Sequence, residues 1–254
     1  MRLGVFSEFF YTFGFFTRLL KGVWYFIFRG RPFYRILIMQ ILFTFVDALT
    51  IITILALGIG AAVNIIGLPF LSSLGQSRMI YPLLITIITR ELGPLLAAFI
   101  VIARSATAIA TEMASMVISH EVEAYISVGV DPIEQLGVPR FLGVCTAMFL
   151  LNIYFSIFGL AGSFVVVQLV NATPAGVYFD NLLQYLTLAD LLVSMFKSVC
   201  FGVIIALMAL RKGFSVDRAS TEIPIAGLQA VSKSFMWCII ADALITALYY
   251  IALS

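Results

Sequence analysis

RELGPLLAAFIVIARSATAIATEMAS, residues 90–115, sits inside a long apolar stretch, and the reading of the chain turns on it. It opens with a charged doublet, Arg90-Glu91, followed by Gly93-Pro94. Lipid accepts an ionised side chain only where a partner or a water cavity receives it. It accepts a broken helix only where protein or water re-satisfies the freed backbone. Pro94 has no N–H to offer the carbonyl of Arg90, and its ring crowds that carbonyl. Gly93 weakens the same turn. The helix is therefore expected to kink or open beside Arg90 and Glu91. Successive helical residues diverge by about 100°, so these two are expected to find partners on other helices rather than each other. Asp47, Arg104, Glu112, Asp190, Lys197, Lys233 and Asp242 are the charges placed to balance them. Two readings stand: a static network that fixes helix register, and a network that rearranges with the state of the protein, including a polar lining for a lipid headgroup.

The surrounding composition sets the class. Apolar residues make up 62% of the 254 positions and charged residues 11%, against roughly 25% charged in a soluble domain. This is an all-α integral membrane protein. A formal net charge of +2 gives no ground for a nucleic-acid partner. Cys145, Cys200 and Cys238 lie in apolar stretches without metal-type spacing and read as small buried hydrophobes. His120 reads as a surface residue. No phosphate loop, zinc-protease helix or nucleophile elbow is present. No catalytic residue, metal site or cofactor is expected.

Five segments reach the roughly twenty apolar residues that a helical span needs: about 36–66, 80–118, 133–170, 182–210 and 225–252. Basic residues crowd one set of connections: Arg2, Arg18, Lys21, Arg29, Arg31 and Arg35 before the first span, Arg140 after the second, and Arg211, Lys212 and Arg218 after the fourth. The opposite set holds Arg78 alone. The positive-inside rule then places the N-terminus in the cytoplasm and the C-terminus outside. In residues 1–30, Phe6, Phe9, Phe10, Phe13, Phe16, Leu20, Trp24 and Ile27 fall on one half of a helical wheel, with Arg18, Lys21 and Arg29 on the other. That pattern suits an amphipathic helix in the headgroup plane, because Arg18 and Lys21 would be costly inside a span. Gly30-Arg31-Pro32 marks the turn into the first span and a transmembrane domain over 31–254.

An acidic island follows the second span. Ser119 is expected to cap a short helix over 119–128, with Glu121 and Glu123 in its first turn. Val122, Tyr125 and Ile126 form its apolar face, and Gly129 ends it. Asp131, Pro132 and Glu134 are placed to start the next helix. A docking helix for another protein and an ordinary interfacial helix both fit. Ala106, Ala110 and Ala114 form a small-residue stripe suited to close helix packing, and Gly58, Gly60, Ala61 and Ala62 form a second patch.

Arg90-Glu91-Leu92-Gly93-Pro94, the run from Ala103-Arg104-Ser105-Ala106 to Thr111-Glu112, and Glu121-x-Glu123-Ala124 leading to Val128-Gly129-Val130-Asp131-Pro132 resemble the MlaE (YrbE-like) permease family of lipid-transporting ABC systems. Pro139-Arg140, Lys197-Ser198 and Asp242 continue the resemblance. It implies an interfacial N-terminal helix followed by five transmembrane helices. It also implies a homodimer, a separate cytoplasmic ATPase dimer docked on the helix between the second and third spans, and an MCE-domain ring outside. In some members a STAS-domain protein is added. The substrate implied is lipid, phospholipid first, moved between the cytoplasmic (inner) membrane and the MCE channel, with the C-terminus periplasmic. By the same resemblance Arg90, Glu91, Lys197 and Asp242 match a polar transmembrane cluster. Val63, Phe70, Leu71 and Leu74 fall where relatives line an outward lipid cavity, and Glu121, Val122, Tyr125 and Ile126 would couple to the ATPase. The alternative is a proton-coupled secondary transporter using the intramembrane carboxylates.

Overall fold

The computed structural model describes residues 5–29, 34–171, 174–217 and 219–253; the turn expected at Gly30-Arg31-Pro32 and the base Arg218 lie outside them. Among the described residues the secondary structure is helical, without strands. The helices are α1 (Val5–Arg29), α2 (Tyr34–Ser73), α3 (Ser77–Ile118), α4 (Glu121–Ser127), α5 (Ile133–Leu169), α6 (Ala175–Tyr185), α7 (Leu188–Phe214) and α8 (Glu222–Leu253). Five of them, α2, α3, α5, α7 and α8, are long and apolar enough to cross a membrane. The protein is an all-α, multi-pass membrane protein.

Its contacts group into two units. Unit one comprises Met1–Thr44, Val101–Ala147 and Gly202–Ile240. Here α1 buries Leu19, Gly22 and Phe26. Gly22 is needed because a Cβ there would meet Val138 Cγ2 at 2.7 Å and Glu134 Cγ at 3.3 Å. Phe10, Phe13 and Trp24 stay exposed. Ala106, Ala110 and Ala114 of α3 are fully buried, and a Cβ on Gly213 of α7 would come within 2.8 Å of the Ala110 carbonyl. The small stripe thus serves close packing within the subunit.

Unit two comprises Phe45–Ile100, Met148–Phe201 and Ala241–Ser254. Glycines again set the spacing. A Cβ at Gly162 of α5 would lie 2.6 Å from Leu57 Cα of α2, and one at Gly60 would collide with the Gly159 backbone. With backbones this close, polar groups must pair across them. Thr53 and Tyr154 hydroxyls meet at 2.8 Å, and Asn64 Nδ2 donates to the Ser163 carbonyl at 3.1 Å. The Ser163 hydroxyl in turn meets the Tyr178 phenol at 2.8 Å. Tyr178 and Leu182 anchor α6 against Val167, and burial pushes the Tyr178 phenol above the usual tyrosine range.

The first span runs on to Ser73 rather than ending near 66, and the fourth starts later than the sequence-based expectation. Leu182 does not open the fourth span; it belongs to α6, and the span begins at Leu188. The cause is a capping box at Thr187 and Asp190. The Thr187 hydroxyl meets Asp190 Oδ2 at 2.6 Å and accepts the Asp190 N–H at 3.2 Å. The Asp190 carboxylate accepts the Thr187 N–H at 3.4 Å. These bonds satisfy donors that a helix start leaves open, so α7 begins there whatever the hydropathy of the residues before it.

Candidate functional site

Two π-helical segments interrupt α3, over Ile85–Leu92 and Ile102–Ala106. The first leads directly into Gly93-Pro94. The Gly93 N–H donates to the Ile88 carbonyl, five residues back. In that register, the carbonyl deprived of a donor by Pro94 is that of Thr89. The Ser194 hydroxyl takes its place, donating to Thr89 O at 2.7 Å, and Asn152 Nδ2 donates to Ser194 Oγ at 2.8 Å. The break that Pro94 forces is therefore repaired by side chains from α5 and α7, as an apolar setting requires. Gly93 also gives room, since a Cβ there would come within 2.9 Å of Asn152 Oδ1.

The reshaped turn carries Arg90 and Glu91 into a cluster with α7 and α8. Lys197 is fully buried, and its Nζ lies 2.5 Å from Glu91 Oε2, 2.8 Å from Asp242 Oδ1 and 2.7 Å from Thr246 Oγ1. Arg90 donates through Nη2 to the Tyr250 hydroxyl at 2.6 Å and through Nη1 to Asp190 Oδ1 at 3.4 Å. Its guanidinium lies 4.9 Å from the Tyr249 ring centre and 5.2 Å from that of Tyr250, a cation–π arrangement. Arg90, Glu91, Lys197 and Asp242 are thus neighbours in space. The divergence expected between Arg90 and Glu91 does not keep them apart. Arg90 Nε reaches Glu91 Oε1 at 3.2 Å, because the long arginine stem folds back toward a carboxylate that Lys197 holds from the other side. Buried ions of this kind are tolerable only with such multiple pairing. Three carboxylates, Glu91, Asp190 and Asp242, face the two cations Arg90 and Lys197.

The acidic island forms α4, whose residues are all at least partly exposed. Its N-terminus departs from expectation. His120 occupies the capping position in the left-handed conformation (φ 62°), and no side chain caps the helix there. Ser119 instead donates to Glu121 Oε1 at 3.0 Å, while His120 Nδ1 pairs with Glu123 Oε2 at 2.9 Å. The left-handed residue turns the chain sharply out of α3, which leaves the Ser119 hydroxyl beside the Glu121 side chain rather than the open amides. The other end follows the glycine rule. Gly129 has φ 77°, its N–H donates to Ile126 O at 3.0 Å, and the Val130 N–H donates to Tyr125 O at 3.0 Å, a Schellman ending. Asp131 Oδ1 then accepts the Ile133 N–H at 2.8 Å and opens α5. Val122 and Tyr125 are half-buried, while Glu121 and Ile126 are exposed.

Val63, Phe70 and Leu71 follow one another along the C-terminal part of α2, and Leu74 lies in the turn just after it. Phe70 and Leu74 are exposed, Val63 and Leu71 half-buried. They lie apart from the charged cluster in sequence, and α2 contributes no charge to it.

Several participants escaped the sequence reading. Asp190 was one charge among many until its Thr187-x-x-Asp190 spacing, a readable capping signature, is recognised. Ser194 and Asn152 have no sequence signal, because their task depends on which carbonyl Pro94 leaves open. Tyr249, Tyr250 and Thr246 read as ordinary members of an apolar span. Arg140 and Glu112 pair in unit one, with Nη2–Oε1 at 2.7 Å and Nε–Oε2 at 3.3 Å.

The family described as Permease MlaE matches residues 37–248 of the chain. A probable ABC transporter permease protein of Rickettsia typhi is 29% identical over 221 residues, 86% of this chain and 85% of the relative. Its counterpart in Rickettsia prowazekii is 28% identical over 220 residues, with the same coverage. The chloroplast protein trigalactosyldiacylglycerol 1 of Arabidopsis thaliana is 25% identical over 224 residues, 88% of this chain and 64% of the relative. The matched span contains the reshaped turn of α3, the charged cluster and α4. The chain belongs to the MlaE permease family, as a membrane subunit of an ABC transporter.

Proposed function

We propose that the protein is the permease of an ATP-driven lipid transporter, working as a homodimer. Phospholipid is its substrate class, passed between the cytoplasmic membrane and an MCE-domain ring on the far side. The observation that carries this reading is the ion cluster on the broken turn of α3, in a chain matched to a permease family over residues 37–248. A relative bearing the name of a glycerolipid supports the substrate class. The basic connections support a cytoplasmic N-terminus, with α1 in the headgroup layer, where its exposed Phe10, Phe13 and Trp24 would sit. The C-terminus is then periplasmic.

In this mechanism a separate phosphate-loop ATPase, in some systems joined by a STAS-domain protein, docks on α4 through Glu121, Val122, Tyr125 and Ile126. Closure of the ATPase dimer pushes α4. The push reaches α3 through the left-handed His120 joint, and α3 yields where its winding is already wide. Arg90, Glu91, Lys197 and Asp242 then trade partners. The outward cavity, walled by Val63, Phe70, Leu71 and Leu74, collapses and expels its lipid.

The test is lipid transfer by the reconstituted complex. Val63→Trp and Leu71→Trp should stop transfer while the complex stays assembled; normal transfer would remove the cavity from the mechanism. Tyr125→Asp should abolish co-purification of the ATPase, and intact association would refute the docking role. Proton-coupled transport draws on one observation, the excess of carboxylates over bases in the cluster. Transport that follows a proton gradient without ATP would select it.

A further inference from the structure

We propose a second lipid site in unit one: a groove near the start of α2 that holds a singly anionic glycerophospholipid of the surrounding leaflet. It rests on the chain crossing a membrane, not on what the permease carries. An open groove of about 720 Å³ runs between α2, α3 and α5, lined by Arg35, Ile36, Met39, Phe43, Glu112 and Arg140 among others. Its volume is that of a small-molecule site, and its wall is divided by chemistry.

Ile36, Met39 and Phe43 fall on one face of α2 by helical spacing, with Met39 and Phe43 exposed. A water-soluble ligand has no use for such a stripe, whereas an acyl chain does. The polar edge is Arg35 with the Arg140–Glu112 pair. Arg140 is 8% exposed, tied to Glu112 and donating to the Leu136 carbonyl at 2.9 Å, while Glu112 is 53% exposed. Arg35 is exposed and makes no ion pair among the described residues. The three side chains sum to one positive charge.

Depth supports the same occupant. Arg35 stands at the very start of α2, which begins at Tyr34. Glu112 precedes the end of α3 at Ile118, and Arg140 follows the start of α5 at Ile133. At 1.5 Å per residue both lie roughly 10 Å inside their helix ends, and Phe43 about 13 Å inside its own. Headgroup layers are about 5–8 Å thick on each side of the hydrocarbon. The charges therefore straddle the boundary between headgroup and chain, and the apolar stripe continues below it. The lipid phosphate pairs with Arg35, one acyl chain lies along Ile36, Met39 and Phe43, and Glu112 repels a headgroup with a second negative charge.

The experiment places the full chain in nanodiscs of equal phosphatidylglycerol and phosphatidylcholine and counts retained lipids by native mass spectrometry. Phosphatidylglycerol should be enriched on the protein, and Arg35→Glu should cut its retention by about tenfold, the effect of losing one charge-assisted contact. Phe43→Trp, which fills the groove without altering charge, should lower retention as well, and it carries the test if the Arg35 variant fails to insert. Equal retention of the two lipids, or retention unchanged in either variant, overturns the proposal. So does disulfide cross-linking of copies through Met39→Cys, since a second subunit would then cover the groove.

Discussion

The two ion clusters of this protein sit in opposite regimes. In unit two, Lys197 is wholly buried between Glu91 and Asp242, and Arg90 is 8% exposed among Asp190, Glu91 and two tyrosines. In unit one, the equally buried Arg140 holds a Glu112 that is half open to its surroundings. The chemistry of pairing is the same, but the consequence of breaking it is not. A buried charge stripped of its partner has nowhere to go and costs about 3–5 kcal/mol. Where the partner is itself half exposed, water or a headgroup can take its place beside the buried charge, so losing it costs less. The first cluster is therefore a closed device whose members depend on one another, and the second an open edge able to meet a ligand.

That contrast is breakable in graded steps. Lys197→Met leaves Glu91 and Asp242 facing each other, and thermal unfolding of the purified protein should show a loss of about 3–5 kcal/mol. Adding Asp242→Asn should return part of it; no recovery would mean the two do not act as a pair. Tyr250→Phe removes one charge-assisted hydrogen bond from Arg90 but leaves Asp190 and Glu91 in place. A loss of about 1.5–3 kcal/mol is expected in the same assay. Glu112→Gln leaves the buried Arg140 its bond to the Leu136 carbonyl and an amide oxygen to donate to, and should cost about 1–2 kcal/mol; a loss matching that of Lys197→Met would erase the distinction between the clusters. Thr187→Val removes half of the capping box at the start of α7 and should cost about 1 kcal/mol, with faster amide hydrogen exchange confined to the first turn of α7. The smallest effect has the opposite sign. His120→Gly relieves a left-handed backbone and, because the contact it gives up with Glu123 is exposed, should stabilise the α3–α4 joint by up to about 1 kcal/mol in the same unfolding assay.

The legibility of the molecule follows the range of the interactions involved. The spans were readable because a membrane helix needs only its own apolar length. Gly129 and Asp131 were readable because helix ends are local. Ser119 failed as a cap because whether a hydroxyl reaches an open amide depends on the backbone just before it, and His120 bends that backbone into the left-handed region. Leu182 was misassigned to a span because hydropathy does not register the capping box five residues later. The partners of Arg90 were legible only as a set of charges awaiting assignment. Asp190 and Tyr250 were selected by helix rotation and depth, quantities without a short-range sequence signal.

Sequence alone determined that this chain lives in a membrane, carries five helices long and apolar enough to cross it and disturbs one of them next to Gly93-Pro94, since composition, apolar length and a proline act where they stand. Tertiary structure alone decided who repairs that break. Ser194 and Asn152 mend the Thr89 carbonyl, Lys197 lies between two acids, and Glu112 is turned outward to an open groove. The reason is that hydrogen bonds and ion pairs act over about 3 Å, and only packing brings distant residues that close.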